Sequence, residues 1–145
     1  MPEHVPSVDV ANAQRPLFVG VDVGGTTIKL GIVDNAGATV DFTRIETNAT
    51  VDAAVTLERL AEALRELLSN HHLSIDDLAA IGLGTPGTMD IPAGLILEPP
   101  NLPGWRHYPV RDELCRLCDD TPVAFTNDGA AAAYGEYWIG TGRQH

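Results

Sequence analysis

Asn127 and Asp128 stand side by side in Thr126-Asn127-Asp128-Gly129, directly after the apolar run Val123-Ala124-Phe125 and before an alanine-rich stretch ending Tyr134-Gly135-Glu136-Tyr137-Trp138. That order delivers an amide and a carboxylate together to the lip of a strand, at the start of a helix. Such a pair suits a polyol. The amide donates to one hydroxyl and accepts from its neighbour, while the carboxylate takes a proton from a third. Helix capping is the competing role, because Asn and Asp are both favoured N-caps.

Near the other end, Asp22-Val23-Gly24-Gly25-Thr26-Thr27 joins two apolar runs. Adjacent glycines permit positive φ and let backbone N–H groups approach an anion closely. Thr26 and Thr27 add hydroxyl donors, and Lys29 adds a positive charge. Asp22 interrupts an otherwise apolar strand, where an unpaired carboxylate is costly. A hydrated magnesium ion beside a nucleotide phosphate would offset that cost. An ordinary hairpin with Asp22 at its exposed end accounts for the same residues. Two other phosphate motifs are excluded. No G-x-x-x-x-G-K-[ST] occurs, and Gly82-Leu83-Gly84-Thr85-Pro86-Gly87 is followed by turn residues, not by the helix that a dinucleotide fingerprint must open.

The elements that must position these residues can be read from periodicity. Strands are predicted at Leu17–Val23, Thr27–Val33 and Thr39–Glu46. A helix over about 52–70 carries Leu57, Leu60, Ala61, Leu64, Leu67 and Leu68 as an i, i+3, i+4, i+7 stripe, which reads as core packing. A short strand follows over 79–83, then a Pro/Gly-rich excursion with a hairpin turning at Ile91-Pro92-Ala93-Gly94. A helix over 110–118, a strand over 122–125 and a final helix from Asp128 complete the order. Meander, then αβ, then αβα, fits a layered α/β domain with helices on both faces of a mixed five-stranded sheet.

The chain has 145 residues and a formal net charge of −11. That length supports one domain with its own core. The acidic balance argues against nucleic-acid and anionic-membrane partners, which want clustered Lys and Arg. No apolar run approaches the ~18–20 residues of a membrane span. Met1–Gln14 lacks a signal-peptide layout, so residues 1–15 are expected as a disordered tail and the location as cytoplasmic. Cys115 and Cys118 fall inside a predicted helix, where packing is expected over redox or metal chemistry.

Four segments in order carry a resemblance: Asp22-Val23-Gly24-Gly25-Thr26, Gly82-Leu83-Gly84-Thr85-Pro86-Gly87, Pro100-Asn101-Leu102-Pro103-Gly104-Trp105, and Asn127-Asp128 through Gly135-Glu136. Together they resemble the ROK family of sugar kinases and regulators, and within it the bacterial ROK glucokinases. The resemblance implies a ribonuclease-H-like (actin-like ATPase) domain over residues 16–145, forming the N-terminal lobe of an ATP-dependent hexose kinase. It implies Asp128 as general base toward the sugar 6-hydroxyl, with Asn127, Asn101 and Gly87 at the sugar. Gly24, Gly25, Thr26, Thr27 and Lys29 would hold the nucleotide, with Asp22 organising Mg2+ through water. Without the resemblance, Asn101 reads as a turn residue.

Family members are roughly twice this long, with a second lobe closing over the first. That lobe would supply most of the nucleotide pocket and, in many members, a zinc site. The expected partners are therefore a hexose, that C-terminal lobe, which is absent from this chain, and a second copy in a homodimer. Another hexose or N-acetylhexosamine as substrate, and a non-catalytic sugar-binding lobe, stay open as alternatives. One departure stands out: sugar-kinase members commonly read Asn-Asp-Ala-Asn where this chain has Asn127-Asp128-Gly129-Ala130. Glu136 matches the family pattern and is expected to be structural.

Overall fold

A computed structural model of the chain describes residues 7–126. Strands β1 (Leu17–Val23), β2 (Thr27–Val33) and β3 (Thr39–Glu46) form an antiparallel meander at the bounds that their apolar runs predict. Helix α1 (Ala53–Ser69) then crosses to β4 (Leu78–Gly84), which pairs parallel with β1. A hairpin of β5 (Thr88–Asp90) and β6 (Leu95–Glu98) makes a separate two-stranded sheet at the predicted turn. Helix α2 (Val110–Leu117) leads to β7 (Val123–Thr126), parallel to β4. Parallel pairing needs such crossovers, and helices supply them. The main sheet runs β3-β2-β1-β4-β7. This mixed five-stranded sheet with helices is the ribonuclease-H-like, actin-like ATPase fold that the resemblance implies.

One core holds the layers together. Leu57, Leu60, Leu64 and Leu68 of α1 are buried against Val19 and Val21 of β1, Ile28, Leu30 and Ile32 of β2, and Ile81 and Leu83 of β4. Each buried leucine contributes about 1.5–3 kcal/mol relative to exposure. Val110 and Leu114 of α2, and Cys118 just after it, join the same cluster. Among the described residues both helices therefore cover one face of the sheet, and the helix expected from Asp128 lies outside them. Burial pushes the Cys118 thiol up to about 11 and also raises that of Cys115. Cys118 is a buried packing group and Cys115 is only partly buried, and no metal-holding cluster of His, Cys, Asp and Glu occurs among the described residues.

The opposite face is built differently. Gly20 pairs with Gly31 on one side and Gly82 on the other, and Gly82 pairs with Ala124, so small residues cross the sheet in a row. Phe18, Val33 and Ala80 form a small buried cluster beside that row.

The segment before β1 departs from expectation. Residues 7–15 are bonded to the sheet edge, and residues 1–6 of the expected tail lie outside the described residues. Val8 N–H donates to Thr39 O at 3.0 Å, Asn35 N–H to Gln14 O at 2.8 Å, and Gln14 N–H to the Asp34 carboxylate at 2.9 Å. Asp34 is 2% exposed and also accepts from Ala36 and Ala38, so a carboxylate hidden in the β2–β3 turn anchors a segment that has no apolar pattern of its own. At the end of α1, His71 Nε2 lies 2.8 Å from Asp41 Oδ2 of β3, so a carboxylate is its partner. No helix among the described residues is long and apolar enough to cross a membrane.

Candidate active site

The parallel strands β1, β4 and β7 all end on one edge of the sheet, and their register fixes the level at which each stops. Asp22 pairs with Gly84, and Gly84 with Thr126. With strands about 4.8 Å apart, these residues span about 10 Å of that edge. Three connections leave it: the diglycine turn after β1, Thr85-Pro86-Gly87 after β4, and the chain that follows Thr126. Asn127 and Asp128 follow Thr126 in sequence and lie outside the described residues, as does Glu136.

The diglycine turn is closed by Gly24 N–H donating to Thr27 O at 2.9 Å. Neither glycine takes positive φ, contrary to the expectation from their freedom. The requirement is space. A Cβ on Gly24 would stand 2.9 Å from Thr27 O, closer than side chains approach backbone. The turn is held from behind by Thr47, which is wholly buried: its hydroxyl donates to Gly24 O at 2.8 Å and its N–H to Thr26 O at 2.9 Å. The register sets Lys29 opposite Asp22 on the face away from α1, so an exposed cation accompanies the carboxylate.

Asn101 sits in the left-handed region at φ 63°, a conformation that Asn tolerates well. It lies over the turn: a Cβ on Gly25 would be 3.7 Å from Asn101 Cβ. The structure thus brings together two residues 76 positions apart in sequence, one assigned to phosphate and one to sugar. Gly87 shapes the same edge. Its φ is +82°, and a Cβ there would meet Pro99 Cα at 2.7 Å and Pro100 Cδ at 3.0 Å. The loop after β4 therefore presses on the segment that leads into Asn101. Further along, a Cβ on Gly104 would come within 2.6 Å of Val51 O, so the same segment is seated on the entry to α1. Trp105 anchors it, fully buried and edge-on to Tyr108.

Gly24, Gly25, Thr26, Thr27, Asn101 and Gly87 are thus gathered at one edge, with the paired Asp22 and Lys29 just inside it. Two further residues escaped the sequence reading. Thr47 was invisible because the partner of its hydroxyl lies 23 positions away in sequence and is a backbone carbonyl. Thr85 is buried, and its hydroxyl has no hydrogen-bond partner among the described residues. It sits inside a motif read only for its glycines. The pocket of about 250 Å³ lined by Arg65, Ser74 and Asp119 lies by the start of β4, at the opposite edge, and takes no part in this site.

A glucokinase of Halalkalibacterium halodurans is 44% identical over 127 residues, covering 86% of this chain and 37% of its own length. An N-acetylmannosamine kinase of Yersinia pestis is 30% identical, with 82% and 38% covered. Among solved structures, a ROK family glucokinase of Streptomyces griseus in complex with glucose and AMPPNP superposes with a TM-score of 0.68 at 33% identity, covering 89% of this chain and 38% of that one. The chain therefore spans less than two fifths of the relatives it matches. The ROK family model matches residues 18–145, which includes every segment gathered at this edge. The chain belongs to the ROK family.

Proposed function

We propose that residues 16–145 are the N-terminal lobe of a hexose kinase that moves the γ-phosphoryl group of ATP to the 6-hydroxyl of glucose. The observation that carries this reading is the meeting of Gly25 with Asn101, a turn suited to phosphate oxygens beside an amide suited to sugar hydroxyls. The glucokinase relative and the glucose and AMPPNP complex of the Streptomyces griseus protein support it.

Phosphoryl transfer asks for positioning and charge neutralisation more than covalent chemistry. In this reading Gly24, Gly25, Thr26 and Thr27 bind the phosphates, and Lys29 adds positive charge near them. Asn101 and Asn127 hold sugar hydroxyls, with Gly87 shaping the floor. Asp128 accepts the proton of the attacking hydroxyl. Asp22 fits Mg2+, which takes one or two protein carboxylates and completes its shell with water and phosphate oxygens. When bound, that ion neutralises charge on the transferring phosphate. A second lobe supplies the rest of the nucleotide pocket, and the location proposed is the cytoplasm. An N-acetylhexosamine acceptor is the second reading, favoured by the N-acetylmannosamine kinase relative.

A coupled assay of the complete polypeptide, with ATP and a panel of hexoses, is expected to give turnover with glucose. Asp128→Ala lowers kcat by about 10²–10⁴-fold, the usual contribution of a general base, while glucose titration still detects binding. Absence of turnover with every hexose, or near-full kcat in that variant, would falsify the assignment.

A further inference from the structure

We propose that Thr47 is a positioning residue for the nucleotide, setting the orientation of the Gly24–Gly25 peptide on which phosphate recognition depends. The proposal rests on the kinase reading above and adds a residue to it that touches neither substrate.

Thr47 directs both of its donors at the turn. Its hydroxyl reaches Gly24 O at 2.8 Å and its N–H reaches Thr26 O at 2.9 Å, so the two carbonyls flanking Gly25 are both drawn toward β3. In a trans peptide the carbonyl of one residue and the N–H of the next point in opposite directions. Holding Gly24 O against Thr47 therefore turns Gly25 N–H away from Thr47, out of the sheet edge. A backbone donor so presented is what an anion needs. A Gly-Gly peptide has no side chain on either side to resist rotation, so its orientation must come from outside the turn.

Thr47 is itself fixed. Thr56, in the first turn of α1, donates its hydroxyl to Thr47 O at 3.2 Å, and both threonines are 0% exposed. Two buried hydroxyls in series thus connect the body of α1 to the carbonyl of Gly24. Buried polar side chains are as a rule hydrogen-bonded, and both of these hydroxyls are.

The test is Thr47→Val in the complete polypeptide, which keeps the branched shape and the backbone N–H while deleting the hydroxyl. At saturating glucose the KM for ATP is expected to rise about five- to tenfold, the loss of one net hydrogen bond. The KM for glucose should stay within about twofold, a band smaller than the effect of one such bond, and Thr47→Ser should restore the ATP value. An ATP KM that is unchanged, or one that rises in step with the glucose KM and the loss of thermal stability, overturns the proposal. Should Thr47→Val fail to fold, Thr56→Val releases Thr47 from α1 and is read the same way, with a rise of about two- to threefold expected and no rise overturning it. If the unsubstituted polypeptide phosphorylates no hexose, the kinase reading is what fails. Titration with a fluorescent ATP analogue then still decides whether Thr47→Val weakens nucleotide binding.

Discussion

Gly87 carries two burdens at one Cα: a left-handed φ of +82° and a backbone neighbour, Pro99 Cα, that a methyl group would meet at 2.7 Å. A flexible side chain can yield to an added Cβ, but Pro99 is backbone and cannot. Gly87→Ala is therefore expected to lose about 1–3 kcal/mol of stability, the usual cost of a non-glycine residue held in such a region. Because the displaced segment runs straight into Asn101, the same variant should raise the glucose KM several-fold, measured beside a thermal melt. Gly24 was legible as a required glycine, but for the wrong reason. Its φ is ordinary, and the constraint is the approach of Thr27 O, which no single-sequence pattern records. Thr47 could not be singled out at all. A threonine in Glu46-Thr47-Asn48-Ala49-Thr50 has nothing to mark it until the fold sets it behind the turn.

At the scale of elements, the bounds of β1, β2 and β3 were fully readable, because apolar runs end at glycines, at Asp34 and at polar clusters. The leucine stripe likewise located α1 to within a residue at each end. What could not be read was how α1 stops. His72 takes φ 58°, donates its N–H to Ser69 O at 3.0 Å, and is followed by Leu73 N–H bonding back to Leu68 O at 3.0 Å. These are the two bonds of a Schellman ending, in which the left-handed position is usually glycine. His72→Gly is expected to stabilise the protein by about 0.5–1 kcal/mol, since the strain of a left-handed side chain exceeds the entropy of the added glycine. Chemical denaturation would record it as a higher midpoint with an unchanged slope. The short turn before β4 is tied by a reciprocal pair, Ser74 N–H to Asp77 Oδ2 at 2.9 Å and Asp77 N–H to Ser74 O at 3.0 Å. The Ser74 N–H, and secondarily Arg15, hold the Asp77 carboxyl below its ordinary 3.8. A depressed carboxyl favours the folded state above that ordinary value and loses its contribution as pH falls below it. Asp77→Asn should therefore be less stable than the parent at neutral pH, with the gap in denaturation midpoint closing as pH falls below that ordinary value, and a gap that does not change with pH would count against it.

On the scale of the molecule, the catalytic proposal depends on more chain than these residues provide, since the relatives extend well beyond the matched region. Water exclusion and further nucleotide contacts would come from a closing lobe. Residues 1–145 alone are expected to turn over glucose at least ~100-fold more slowly than a polypeptide of the relatives' full length. Comparable rates from both would show that one lobe suffices. The acidic balance raised an expectation against polyanionic macromolecules, and it hid the local arrangement at the site. Lys29 stands opposite Asp22, and holding Gly24 O against Thr47 would leave Gly25 N–H directed away from it, so a nucleotide would meet local donors despite the overall sign.

Gly104 rests on Val51 O at the threshold of α1, and three residues into that helix Thr56 grips Thr47. The segment that leads into Asn101 and the diglycine turn, proposed for sugar and phosphate, thus stand on a common footing. Warming that frays this one helical turn would slacken both at the same temperature, so affinity for the two ligands should fade in concert, well before the leucine core gives way.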